Sequence, residues 1–246
     1  MLIDLLNQID SLQQEINRFR PFPPVFLKQL EDYYKIGLTY SSNAIEGNSL
    51  TESETKVVIE DGLTIGGKPM KDHFEAVGHA EAFKQLFNLS KQTGFCEEDI
   101  KNLHKLFYQK IDELQAGVYR QEQVIITGSK YSCSAPRDVP HLMAKFVIDA
   151  LDFLGKLHAV EAVAIIHKNF VFIHPFIDGN GRIARLLMNL CLLQKGYQIT
   201  IIPPILRVKY IEYLEKAHIN DEDFKIFIAE RVLESQKDVL RLLNNR

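Results

Sequence analysis

Between two apolar, helix-patterned stretches stands His174-Pro175-Phe176-Ile177-Asp178-Gly179-Asn180-Gly181-Arg182-Ile183-Ala184-Arg185, richer in chemistry than a short connection needs. Asp-Gly and Asn-Gly are turn dipeptides, and alone they say only that the chain reverses here. Their neighbours say more. Gly179 and Gly181 let the backbone approach a ligand at the start of a helix expected from Arg182 to Lys195. Unpaired N–H groups and the positive helix end there make an anion site. Asp178 beside it can hold a magnesium ion shared with phosphate oxygens. Arg182 and Arg185, three apart, share a helix face and offer forked donors to phosphate. His174, with an ordinary pKa of about 6.5, suits a general base near neutral pH. The set is that of a phosphoryl-transfer site, and the absence of GxxxxGK[ST] excludes a P-loop ATPase.

Written as H-P-F-I-D-G-N-G-R-x-x-R, the same string resembles the motif of Fic proteins, which transfer AMP from ATP to protein hydroxyls. The resemblance runs from about Gly37 to Phe227. It implies a mostly α fold, a Fic-type helical bundle with a β-hairpin flap before the catalytic loop. It also implies ATP and Mg2+ as cofactors and a role for each residue. His174 would deprotonate a Ser, Thr or Tyr hydroxyl for in-line attack on the α-phosphate, and Phe176 would anchor the loop. Asp178 would bind magnesium. Gly179, Asn180 and Gly181, continued by Ile183 and Ala184, would cradle the phosphates. Arg182 and Arg185 would hold the triphosphate, Arg185 nearest its γ-phosphate. Related kinases of the Doc type carry Lys at the Gly181 position, so Gly181 favours AMP transfer.

Upstream, Ser42-Asn43-Ala44-Ile45-Glu46-Gly47 resembles the family's inhibitory motif, [S/T]xxxE[G/N]. Alone, Ser42 and Glu46 read as an ordinary i,i+4 pair on a solvated helix face. Beside the downstream motif, the resemblance implies that Glu46 pairs with Arg185 and misplaces the α-phosphate of ATP. Removal of AMP, with Glu46 aligning a water, is a second activity open to the same residues. Gly117-Val118-Tyr119-Arg120 and Val124 to Gly128 resemble the family's hairpin, which adds a target segment as an extra strand. Ile126, Thr127, Gly128 and Ser129 would touch the nucleotide. Tyr210 and His218 fall where the family places Tyr and Asn around adenine, so His218 departs from the pattern. The implied partner is a target protein hydroxyl docked on residues 117–136; self-modification and a homo-oligomer are compatible with the sequence. Two rivals remain: a UMP, GMP or phosphocholine-type donor, and a regulatory protein that senses ATP without turnover. Intact His174, Asp178 and Arg185 argue against the second.

The elements that must hold these residues are mostly helical. Leu2, Leu5, Leu6, Ile9, Leu12 and Ile16 predict a helix ending before Pro21, packed on the core or on a second copy. Further helices are predicted over Phe26 to about Asn48, from Thr51 with a capping box to Gly62, Lys71 to Thr93, and Glu97 to about Lys110. The pattern resumes over Pro140 to Gly155, Glu161 to Phe172 and Arg182 to Lys195, then from Pro203-Pro204 and over Asp221 to Leu243. Only Gly117 to Pro136 reads as a hairpin. The organisation expected is an N-terminal helical segment over 1–94 with the inhibitory helix at about 26–48, a catalytic core over 95–218, and a C-terminal helix over 219–246.

Composition narrows the setting. With 29 Lys and Arg against 32 Asp and Glu, the net charge of −3 gives no basic footprint for nucleic acid. No run approaches the ~18 apolar residues of a membrane span, and Met1 to Gln8 lacks a basic signal-peptide start. Cys96, Cys133 and Cys191 form no CxxC pair, so a reduced, cytoplasmic protein is expected. His167 and His174, seven apart, lack a third ligand for zinc. His73, His79 and His104 read as structural, and Leu186 to Leu190 as core.

Overall fold

Apolar spacing becomes helix wherever it is expected, and caps set the ends. The computed structural model describes residues 1–244. Among them run α1 (Leu2–Asn17), α2 (Pro24–Ile45), α3 (Glu52–Lys56), α4 (Met70–Leu89), α5 (Glu97–Tyr108), α6 (Val139–Lys156), α7 (Ala159–Ile173), α8 (Asn180–Gln194), α9 (Arg207–Lys216) and α10 (Glu222–Asn244). Thr51 accepts from the Glu54 N–H while Glu54 accepts from the Thr51 N–H, the reciprocal cap expected from the sequence. Helix α4 stops at Leu89 rather than Thr93. Gln194 of α8 donates to the carbonyls of Leu89 and Gly94, at 3.1 and 2.8 Å, satisfying this helix end from outside. The Pro203-Pro204 start is a short 3-10 turn, Pro204–Leu206, leading into α9.

The core is built around α8. Ile183, Ala184, Leu186, Leu187, Met188, Leu190, Cys191 and Leu192 are all buried, and the helix packs against α7, α4, α5 and α2. The α1 stripe faces this core too. Ile9 and Ile16 are fully buried against α10, where Gln236 donates to the Ile9 carbonyl at 3.1 Å. One apolar cluster therefore extends from Ile9 to Leu243. No helix among the described residues is long and apolar enough to cross a membrane.

The hairpin expected over residues 117–136 does not form; no strand occurs among the described residues. A two-stranded ribbon is marginal without a third strand or a face to bury. Here Ile125 is almost wholly exposed, and the carbonyls of Glu122 and Ser134 are taken by the Arg120 guanidinium instead of a ladder. The segment is an irregular loop whose two limbs are tied together by the buried Arg120 side chain.

Close packing of α4 on α5 depends on Gly78. A Cβ there would collide with the Phe107 main chain, reaching 2.9 Å from its carbonyl carbon and closer still to its oxygen. Main chain cannot yield as a side chain tip can. Gly78→Ala is expected to lose about 2 kcal/mol net, since overpacking outweighs the helix propensity gained. Urea denaturation midpoints of the two proteins measure it.

Candidate active site

Helix α7 delivers His174 as its C-terminal cap, at φ +53° and ψ +60°. It is the one non-glycine residue with positive φ among the described residues. Such a conformation is costly for a residue with a Cβ and persists only where its surroundings enforce it. The imidazole Nδ1 lies 3.2 Å from the Val171 carbonyl, which assigns the proton to Nδ1 and leaves the Nε2 lone pair free. Burial lowers the imidazole pKa, the Val171 hydrogen bond opposing it only in part. His174 is therefore neutral near pH 7, as a base must be.

The following loop is fastened from both sides. Phe176 is fully buried and stacks on His104 at 3.8 Å between ring centroids. Asn180 accepts from the Phe176 N–H at 2.9 Å and donates to the Phe176 carbonyl at 2.8 Å. This buried side chain is a clamp, which leaves only the Asn180 main chain for phosphate. His104 accepts from the Gly117 N–H at 2.9 Å through Nδ1, so its Nε2–H donates to the Asp178 carbonyl at 3.1 Å. Burial holds this ring neutral, with a pKa near 4. Gly179, at φ +81°, is required here: a Cβ would meet the Phe107 ring at 2.8 Å.

The two arginines are engaged by carboxylates from the N-terminal helices. Arg182 donates to Glu75 of α4 and to Asp178, each at 2.9 Å, and lies over the Phe107 ring. Arg185, 1 % exposed, donates to the hydroxyl and carbonyl of Ser42 at 2.9 and 2.8 Å and to Glu46 at 2.8 Å. Its remaining amine reaches the Tyr210 hydroxyl at 3.4 Å. Burial works against both charges, yet the pair prevails. The Glu46 carboxyl is held below its usual range by Arg185 and Arg182, and the Arg185 guanidinium is raised by Glu46. The carboxylate lies directly against Gly181 at the N-terminus of α8, so a Cβ on that glycine would strike Oε1. An anion therefore already sits where the sequence placed an anion site.

Glu46 and Gly181 open on a cavity of about 380 Å³, also lined by Ile126, Thr127, Gly128, Ser129, His174, Tyr210 and His218. The structure thus brings together residues that lie as far apart in sequence as Glu46 and His218. Asp178, Arg182, Arg185 and Ser42 do not themselves line it. Asp178 is 38 % exposed, accepts from Gly179 and Arg182, and has Lys71 3.4 Å from Oδ2. Ile183 and Ala184 are wholly buried in the core, and the Ile183 N–H is already bonded to the Gly179 carbonyl. His218 lies between two rings, 3.6 Å from Phe172 and 3.8 Å from Tyr131, so its faces are covered. Tyr210 is buried and shares its hydroxyl with the buried His167 ring at 2.9 Å, so His167 packs behind the site.

Sequence reasoning missed Glu75, Lys71 and Arg207, and read His104 as structural without its link to the loop. Arg207 lines the cavity and donates to the Ile45 carbonyl at 2.6 Å, closing the end of α2 beside Glu46. None belongs to the local motif; their link to it is spatial.

Residues 94–192 match the model of the Fic/DOC family. Over 195 residues, 78 % of this chain, the sequence is 36 % identical to the protein adenylyltransferase Fic of Drosophila willistoni, 39 % of whose length is covered. With the protein adenylyltransferase Fic of Nematostella vectensis it shares 38 % identity over 77 % of this chain and 44 % of that protein. The chain thus spans less than half the length of these curated relatives. Among solved structures, Fic-1 (residues 134–508) from C. elegans matches with a TM-score of 0.87 at 27 % identity, over 99 % of this chain and 73 % of that one. A Fic domain containing signaling protein from Bacteroides thetaiotaomicron matches at 0.84 and 26 % identity, over 95 % and 94 %.

The Glu46–Arg185 contact has a pH signature. Because the Glu46 carboxyl is held below its ordinary 4.5, its contribution is complete above that pH and is lost as the pH falls through the lower folded value. Glu46→Gln should cost about 2 kcal/mol at pH 7, the scale of a hydrogen bond to a charged group. Denaturation curves should show the difference closing on acidification below pH 4.5.

Proposed function

The chain carries a domain of the Fic/DOC family, and on that premise we propose that it is a protein adenylyltransferase restrained by Glu46. It takes AMP from ATP to a Ser, Thr or Tyr hydroxyl of a target protein. One observation carries the reading: the free Nε2 of His174 and the anion site at Gly181 open on the same cavity. His174 takes the hydroxyl proton as the oxygen attacks the α-phosphorus. The new O–P bond forms as the bond to the β-phosphate breaks, and pyrophosphate leaves. With Gly181 in place of lysine, the donor is oriented for AMP transfer. The catalytic gain lies in positioning and in charge stabilisation by Arg182, Arg185 and the first N–H groups of α8.

Asp178 fits magnesium by the chemistry of its donor set. It is one half-exposed carboxylate with a long contact on Oδ2, beside a phosphate site, and magnesium takes one or two carboxylates plus phosphate. When bound, the ion neutralises phosphate charge. Ile126 to Ser129, Tyr210 and His218 enclose the nucleoside end of the cavity, with the target hydroxyl docked on residues 117–136. The division into restraining helices over 1–94, a catalytic core over 95–218 and a C-terminal helix over 219–246 belongs to the same reading. So does a cytoplasmic setting, in keeping with three free cysteines.

Restraint follows from competition. In its present position the Glu46 carboxylate holds Arg185, which the γ-phosphate needs, and repels that phosphate. Glu46 and His174 also face one cavity, so the ionised carboxylate can align a water for AMP release from a modified target.

Mass spectrometry of Glu46→Gly protein with ATP and magnesium tests the reading. AMP incorporation on the protein or a co-purified partner should rise at least about tenfold over wild type, equivalent to ~1.4 kcal/mol of restraint. His174→Ala in the same background should abolish it. Equal labelling of wild type and the Glu46 variant would remove the restraint, and no labelling in either would remove the transferase.

A further inference from the structure

Arg120 is a large side chain, 1 % exposed, and has no carboxylate partner among the described residues. All its side-chain hydrogen bonds go to carbonyls. Nε donates to His174 at 2.7 Å, Nη1 to Glu122 at 3.0 Å, and Nη2 to Ser134 and, at 3.5 Å, to Ile173. Its own N–H donates to the Pro175 carbonyl at 3.0 Å. A buried cation without a counter-ion is expensive unless something replaces the missing charge. Here the C-terminus of α7 replaces it. Ile173 and His174 present the unpaired carbonyls of that helix end, where the helix dipole is negative.

We propose that Arg120 is a positioning residue that locks the base His174 to the loop on which the target hydroxyl docks. The inference rests on the transferase reading and adds a coupling between its two halves. The positive-φ backbone of His174 needs outside support, and Arg120 holds its carbonyl and those on either side. The same planar group holds Glu122 and Ser134, one from each limb of the loop. One rigid fork thereby sets the distance from the loop to Nε2. Lysine cannot substitute, because an ammonium on a flexible stem does not span acceptors on three segments. Arg120 does not line the cavity, so nucleotide binding does not depend on it directly.

The test compares Arg120→Lys and Arg120→Met, each in the Glu46→Gly background, with that background alone. Failure of the background to transfer AMP would count against the transferase reading, separately from this inference. With an active background, kcat for AMP transfer to a protein hydroxyl should fall about a hundredfold in both variants, the cost of roughly an ångström of misplacement. Affinity for a fluorescent ATP analogue should stay within about threefold, below the tenfold that 1.4 kcal/mol represents. That split supports positioning. Unchanged kcat in the lysine variant, loss of nucleotide affinity in parallel with kcat, or failure of both variants to fold would each overturn it, leaving Arg120 a purely architectural group.

Discussion

A guanidinium buried to 1 % exposure is costly unless its charge is answered, and the rest of the site is arranged around how Arg185 is answered. The partner is Glu46, from a helix 139 residues earlier, seated against Gly181 where α8 begins. Two independent attractions converge on that carboxylate, the arginine and the positive helix end. Burial opposes both charges, yet each partner holds the other ionised. A phosphate group would satisfy the same donors. Under the proposed function, the Glu46 carboxylate and a substrate phosphate would compete for one set of donors.

Arg182 repeats the theme more deeply. Its guanidinium is shared between Asp178 and Glu75, and Glu75 also accepts from Asn48 at 2.9 Å. Helices α2 and α4 thus meet the N-terminal turns of α8 through charge as well as through apolar packing. The arginines fix where those helices sit, and the helices fix which carboxylates face the cavity. This mutual constraint explains why an apolar cluster and a polar site can share one helix: the buried face of α8 packs while its first turns are neutralised.

Much of the helical pattern was legible because it depends on short-range physics. Apolar spacing, the Thr51–Glu54 cap and the positive φ of Gly47 and Gly62 are settled within a turn or two of chain. Residues 117–136 failed for the opposite reason. β-branched and aromatic residues beside turn residues suggest strands, but a ladder needs a partner, and here Arg120 claims carbonyls that a ladder would use. The early end of α4 has the same origin, since its carbonyl is capped by Gln194 from α8.

The sequence by itself determined which groups stand close along the chain: a histidine, an aspartate, two glycines and two arginines within twelve residues, with Ser42 and Glu46 spaced to share a helix face. Such groups act through neighbours along the chain, so their spacing carries the information. Tertiary structure alone decided how each is used. It committed Asn180 to the loop, gave Arg182 to Glu75, covered both faces of His218, and set His174 in a conformation that Arg120 supports. These roles depend on groups brought together from distant segments, and burial makes such pairing obligatory once the core has formed.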